Sequence, residues 1–204
     1  ILPGMLENKD KVFYPMGRDP DLDHQLLEWI TKIRKQSRNG VNAPGELVSL
    51  EHLLHEMRLF KSAAELELMR KAADVSCRAH VRAMQQCQPG MYEYQIEAEV
   101  VHDFMQQGLR YVAYPSIVAG GKNACVLHYV ENKDKLTAGD LLLIDAGAEC
   151  DHYAADITRT FPVSGEFSAA QKQLYQLVLD AQYAAIEQIQ PGKPWNNAHD
   201  VSVK

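Results

Sequence analysis

Hydrophobic positions along this chain change period twice, and the changes divide it into elements. Leu22, Leu26, Trp29, Ile30 and Ile33 recur at helical spacing and predict a helix over 21–36. Val12, Phe13 and Tyr14 before it read as a short strand, and the polar, Gly- and Pro-containing stretch 37–45 reads as a linker. Ser62 and Glu65 have the spacing of a capping box, and behind them Leu66, Met69, Ala73, His80, Ala83 and Met84 form one stripe ending before Pro89-Gly90. A second helix over 93–107 carries Ile96, Val100 and Phe104, with Gly108 as its stop. The period then shortens. Residues 111–119 and 125–130 read as strands around Gly120-Gly121, and 141–147 and 153–161 as two further buried strands. Ser168 to Gln171 forms another capping box, opening a helix with Leu174, Leu177, Val178 and Ala181. Helices, then antiparallel strands, then a helix make an α+β class, with helices covering one face of a sheet.

The last strand pair carries the chemistry. In L-L-L-I-D-A-G-A-E-C-D-H-Y-A-A-D-I-T-R-T-F-P, a turn centred on Cys150-Asp151 places Asp145 opposite Asp156. Opposed residues in an antiparallel pair have Cα atoms ~4.5–5.5 Å apart. Two carboxylates at that distance repel by roughly 3 kcal/mol at an effective dielectric of about 20. A shared proton or a cation must offset that, and hard oxygen ligands on rigid strands favour a divalent metal ion. The ordinary alternative is a register off by one, with one aspartate in solvent. His128, on the strand expected just before the hairpin, is either a metal ligand or oxyanion stabiliser, or a histidine held by a core hydrogen bond. Arg159 is either a support for the pair or a charge on a strand face.

Composition narrows the class. The net charge of −6 comes with no basic stripe, which argues against a nucleic-acid partner. The aliphatic run Leu141 to Ile144 is far too short to span a membrane. Cys77, Cys87, Cys125 and Cys150 form no C-x-x-C, and apolar neighbours around the first three suggest buried, reduced thiols and a cytoplasmic setting. The chain starts at Ile1 and reads as a piece of a longer protein.

Several segments together resemble the pita-bread metallopeptidases, and within them most closely aminopeptidase P, with prolidase a near relative. They are H-E-M-R-L-F-K-S-A-A-E-L-E-L-M-R-K-A at 55–72, Pro89-Gly90, S-I-V-A-G-G-K-N-A-C-V-L-H-Y at 116–129, G-D-L-L-L-I-D-A-G-A-E at 139–149 and, most specific, D-I-T-R-T-F-P-V-S-G at 156–165. The resemblance implies a fold of two pseudo-symmetric halves, of which 46–204 is the first. Residues 1–45 would be the tail of an α/β N-terminal domain, including its linker. It implies a metal-dependent exopeptidase that removes an N-terminal residue preceding proline, using two divalent ions, manganese by family habit. Asp145 and Asp156 take the positions of metal ligands, His128 that of a substrate-contacting residue steadying the tetrahedral intermediate, and Tyr114 that of a residue lining the substrate pocket. Peptides with proline second would be the substrates, and the family forms homo-oligomers. The family's remaining ligands, a histidine and two glutamates, lie well downstream of the second motif. Here only His199, Glu166 and Glu187 follow Asp156, and none stands in a matching context. The chain as given is therefore expected to hold two of five ligands and to be inactive alone. Prolidase, which needs a dipeptide, and a non-catalytic peptide- or partner-binding module of the same fold are the alternatives.

Overall fold

The structure is a computed structural model that describes residues 2–203. Contacts divide the chain after Ala64 into two compact units. In the first, β1 (Lys11–Tyr14) pairs in parallel with β2 (Glu46–Ser49), so the strand that follows the 37–45 stretch joins this unit. The unit also contains α1 (Leu2–Met5), α2 (Pro20–Arg34) and α3 (Leu50–Leu59). Helix α2 starts where its chemistry allows. The Asp19 carboxylate accepts from the backbone N–H groups of Asp21 and Leu22, and Pro20 fits the first turn because its missing N–H would have been unpaired there. Its buried face is Leu26, Ile30 and Ile33.

The second unit is built on α4 (Ala63–Gln86) and α5 (Glu93–Gln106), followed by β3 (Tyr111–Val112), β4 (Ile117–Gly120), β5 (Leu141–Ala146), β6 (Ala148–Cys150), β7 (Tyr153–Ala154), β8 (Ile157–Pro162), α6 (Ala169–Glu187) and α7 (Asn196–Ser202). Strands order as β4-β5-β8 and β3-β6-β7, all pairs antiparallel. The core joins Ala72, Val75, Ala79 and Ala83 of α4 with Ile96, Val100 and Phe104 of α5 and with Leu142, Ile144 and Ala146 of β5. Alanines on α4 leave room for close packing. One polar group sits among them: Ser76 is fully buried, donates to the Ala72 carbonyl and accepts from the Ala148 N–H at 2.9 Å. That hydroxyl fastens α4 to β6.

Three expectations about strands change. Residues 111–119 do not run as one strand: β3 and β4 are separated by a segment containing Pro115, which has no N–H to give a ladder. Residues 125–130 are not a strand at all. A 3₁₀ turn over Gly121–Cys125 leads into an irregular loop, and His128 adopts the left-handed conformation (φ 56°). Third, the hairpin turns one residue later than expected. Asp151 and His152 both have positive φ (46° and 71°), the requirement of the two-residue turn that matches strand twist. Asp145 accordingly pairs with Thr158, not with Asp156.

Gly147 explains how the hairpin is bent. A Cβ there would lie 1.7 Å from the Ala155 carbonyl oxygen, so only glycine permits this approach of the two backbones. Here the ladder breaks between β5 and β6, and Ala155 N–H reaches the Ala148 carbonyl beyond the break.

Candidate metal centre

A register shift of two leaves side chains on the same face, because the strand period is two. Asp145 therefore keeps its orientation relative to Asp156, as a diagonal neighbour in place of a direct one. The hydrogen bonds show the outcome. The Tyr114 hydroxyl lies 2.6 Å from Asp145 Oδ1 and 3.1 Å from Asp156 Oδ1. Three side chains from separate segments thus converge: Tyr114 from the β3–β4 connection, Asp145 from β5 and Asp156 from the residue before β8. Burial first, then the hydrogen bond to Asp145 and the negative charge of both carboxylates, push the Tyr114 hydroxyl above its ordinary value. It remains a protonated donor. Asp145 is half-buried and Asp156 exposed, so one side of the pair opens to solvent.

The donor set suits a hard divalent cation, which takes carboxylate oxygens, but it is partial. No group of three His, Cys, Asp or Glu side chains able to hold a metal forms among the described residues. His128 is exposed on its loop. Glu166, Glu187 and His199 are exposed and join no such group. Arg159 is also exposed, and its guanidinium donates to the Thr158 carbonyl, the behaviour of a charge on a strand face. Of the cysteines, Cys150 is the buried one; Cys77 and Cys125 are exposed and Cys87 intermediate, contrary to the expectation from their neighbours. The reason is position: Cys77 and Cys125 fall on outer faces of a helix and a turn whose inner faces carry the apolar residues. Among the described residues no helix is long and apolar enough to cross a membrane.

Glu93 was not singled out by sequence reasoning, yet it is fully buried and central. Its Oε1 accepts from the Gly120 N–H at 2.7 Å and from the Asn123 amide at 3.0 Å. Its Oε2 accepts from the Tyr129 hydroxyl at 2.7 Å and the Asp134 N–H at 2.9 Å. A signal was available: Glu93 lies on the same helical stripe as Ile96, Val100 and Phe104, where an acidic residue has no solvent to face. Asn132 braces the same loop. Its carbonyl accepts from the Val118 N–H, and its amide donates to the Ser116 carbonyl and to Glu97 Oε2.

Comparison with known proteins places this geometry in a class. The profile of metallopeptidase family M24 matches residues 67–204. The chain belongs to that family, whose members are built around divalent metal ions. More particularly, it is 43% identical to the Xaa-Pro aminopeptidase of Escherichia coli over 188 residues, covering 92% of this chain and 43% of that protein. It is 47% identical to the Xaa-Pro aminopeptidase of Haemophilus influenzae, covering 82% of this chain and 39% of that one. Among solved structures it superposes on Pseudomonas aeruginosa aminopeptidase PepP with a TM-score of 0.93 at 54% identity, covering 100% of this chain and 46% of that one. A zinc-substituted E. coli aminopeptidase P in complex with product matches with a TM-score of 0.91 at 40% identity, covering 99% of this chain and 46% of that one. The fold is that of aminopeptidase P, the pita-bread fold, and the chain spans less than half the length of these relatives.

Proposed function

We propose that this chain is part of a metal-dependent exopeptidase that removes an N-terminal residue preceding proline. The observation that carries the reading is the convergence of Asp145 and Asp156 on the Tyr114 hydroxyl, in a chain all of which superposes on part of an aminopeptidase P. Asp145 and Asp156 would hold the metal, two ions with manganese the expected species. Bound divalent ions supply Lewis acidity there, lowering the pKa of water and polarising the scissile carbonyl. Tyr114 would orient the carboxylates with its single proton, donated to Asp145 Oδ1 at 2.6 Å and shared at longer range with Asp156 Oδ1 at 3.1 Å, leaving the other oxygens to ligate. As a neutral donor beside two anions, it would also line the pocket that takes an X-Pro peptide. Such a bond lacks its N–H, so a pocket for it needs shape and no acceptor for that proton. His128 would contact substrate and steady the oxyanion of the tetrahedral intermediate. Residues 1–45 would end an N-terminal domain with its linker, and residues 46–204 would be the first half of the catalytic one. The protein would work in the cytoplasm, as a homo-oligomer, on peptides with proline second.

The test is turnover. The protein expressed from its complete open reading frame, supplied with Mn²⁺, should release the first residue of an Xaa-Pro peptide longer than a dipeptide. Asp156→Ala should abolish that turnover. Equal activity of the two proteins would end the reading, strong preference for a dipeptide would move it to prolidase, and inactivity of both would favour a peptide-binding module.

A further inference from the structure

The segment that carries His128 has almost no regular structure, yet it is held at both ends. From Gly121 to Asp134 the backbone makes no strand, and His128 itself takes a left-handed conformation. A loop of this kind does not place a side chain by its own geometry. Its placement comes from Glu93. Gly120 and Asn123 approach one carboxylate oxygen from the N-terminal side of the loop, and Tyr129 and Asp134 approach the other from the C-terminal side. Tyr129 is the immediate neighbour of His128 and is itself buried. The five residues between the two anchoring side chains, 124–128, are largely exposed and end at His128. Gly120 is shaped for this: a Cβ there would lie 2.7 Å from Leu136 and 3.4 Å from Glu93 Oε1.

We propose that Glu93 is a positioning residue for His128, clamping the two ends of its loop on one buried carboxylate. The inference rests on the reading of His128 as the group that steadies the oxyanion. All four partners donate: two backbone N–H groups, an amide N–H and a phenol hydroxyl. A carboxylate accepts at every site and meets them all. A glutamine cannot. Whichever way its amide turns, an NH₂ group faces a backbone N–H, that of Gly120 or that of Asp134, and one end of the clamp opens. Asn132 continues to hold the loop to β4 through Val118 and Ser116, so Glu93→Gln loosens the segment without releasing it.

The experiment is a double-mutant cycle on peptide turnover, using the protein from its complete open reading frame with Mn²⁺. Glu93→Gln should lower kcat by about 10- to 100-fold, the size of effect that misplacing a reacting group produces. KM should change by less than about twofold, because the lost interaction belongs to the transition state. In a His128→Ala background the same substitution should cost less than about twofold further, since nothing remains to be positioned. Hydrogen exchange should quicken at amides within 121–134 and be unchanged in β5 and β8. An equal loss in both backgrounds, or no loss in the first, would overturn the role of Glu93 while leaving the peptidase reading intact. A wild-type protein with no Xaa-Pro turnover would overturn the peptidase reading and this role with it. Should Glu93→Gln fail to fold, Tyr129→Phe removes one donor and asks the same question in both backgrounds, with the same outcomes and a smaller factor.

Discussion

At the scale of single residues, the site depends on close backbone contact as much as on charge. Gly147→Ala would drive a methyl group into the Ala155 carbonyl, where the gap is 1.7 Å. Overpacking of a rigid site costs about 1–3 kcal/mol, and backbone in place of a flexible side chain puts this case at the upper end. Urea denaturation of the variant should show that loss, and a midpoint equal to the parent's would refute the account of the bend. Tyr129 offers a second residue-scale prediction. Burial, then the hydrogen bond to Glu93, push its hydroxyl up to about 12. A raised tyrosine favours the protonated folded state, so its contribution is complete below the unfolded value near 10 and disappears as pH rises through 12. Stability measured between pH 9 and 12 should fall less steeply in Tyr129→Phe than in the parent. Parallel curves would show that the hydroxyl is not coupled to folding.

At the scale of elements, caps and fasteners decide which predicted segments hold. Ser168 and Gln171 satisfy each other's backbone N–H groups at the start of α6, as their spacing predicted. Ser76 fastens α4 to β6 through one hydroxyl. Ser76→Ala keeps the helix but leaves the Ala148 N–H buried without a partner, at a cost of about 1–3 kcal/mol. Thermal unfolding should record the drop, and a change confined to a few tenths would mean that the N–H finds another acceptor. Residues 125–130 are rich in residues that suit a strand, but their hydrogen bonds go to side chains of α5 and to nearby turns, and that choice depends on a partner far away in the sequence. The hairpin register slipped for a local reason: Asp151-His152 is an unusual pair for a turn with positive φ at both positions, so the turn was placed one residue early.

At the scale of the whole molecule, an exposed apolar helix face and a partial ligand set each carry a prediction. Helix α6 buries none of its residues, and Leu174, Leu177, Val178 and Ile186 each remain more than half exposed. Such a face should make the 204-residue chain self-associate, with an apparent mass in light scattering that rises with concentration. A constant monomer mass would count against it. The metal site behaves alike. With two carboxylates and no larger cluster among the described residues, this chain alone should bind Mn²⁺ weakly, and tight calorimetric binding would contradict that.

The sequence by itself determined helices α2, α4, α5 and α6, the α+β order, the apolar faces of α5 and β5, and the two aspartates with Tyr114, because periodicity, caps and motifs are local; on α4 it ran the stripe through Met69 and Met84, which are exposed, where the structure buries Ala72, Val75 and Ala79. It also determined that Asp145 and Asp156 share a face, since a hairpin slipped by two residues preserves the alternation. Tertiary structure alone decided how the carboxylates meet, through a tyrosine hydroxyl on another segment. It alone decided that the His128 loop hangs from a buried glutamate. Both are contacts between residues roughly thirty or more positions apart, fixed by packing, where a buried polar group must find its partner wherever the fold brings one.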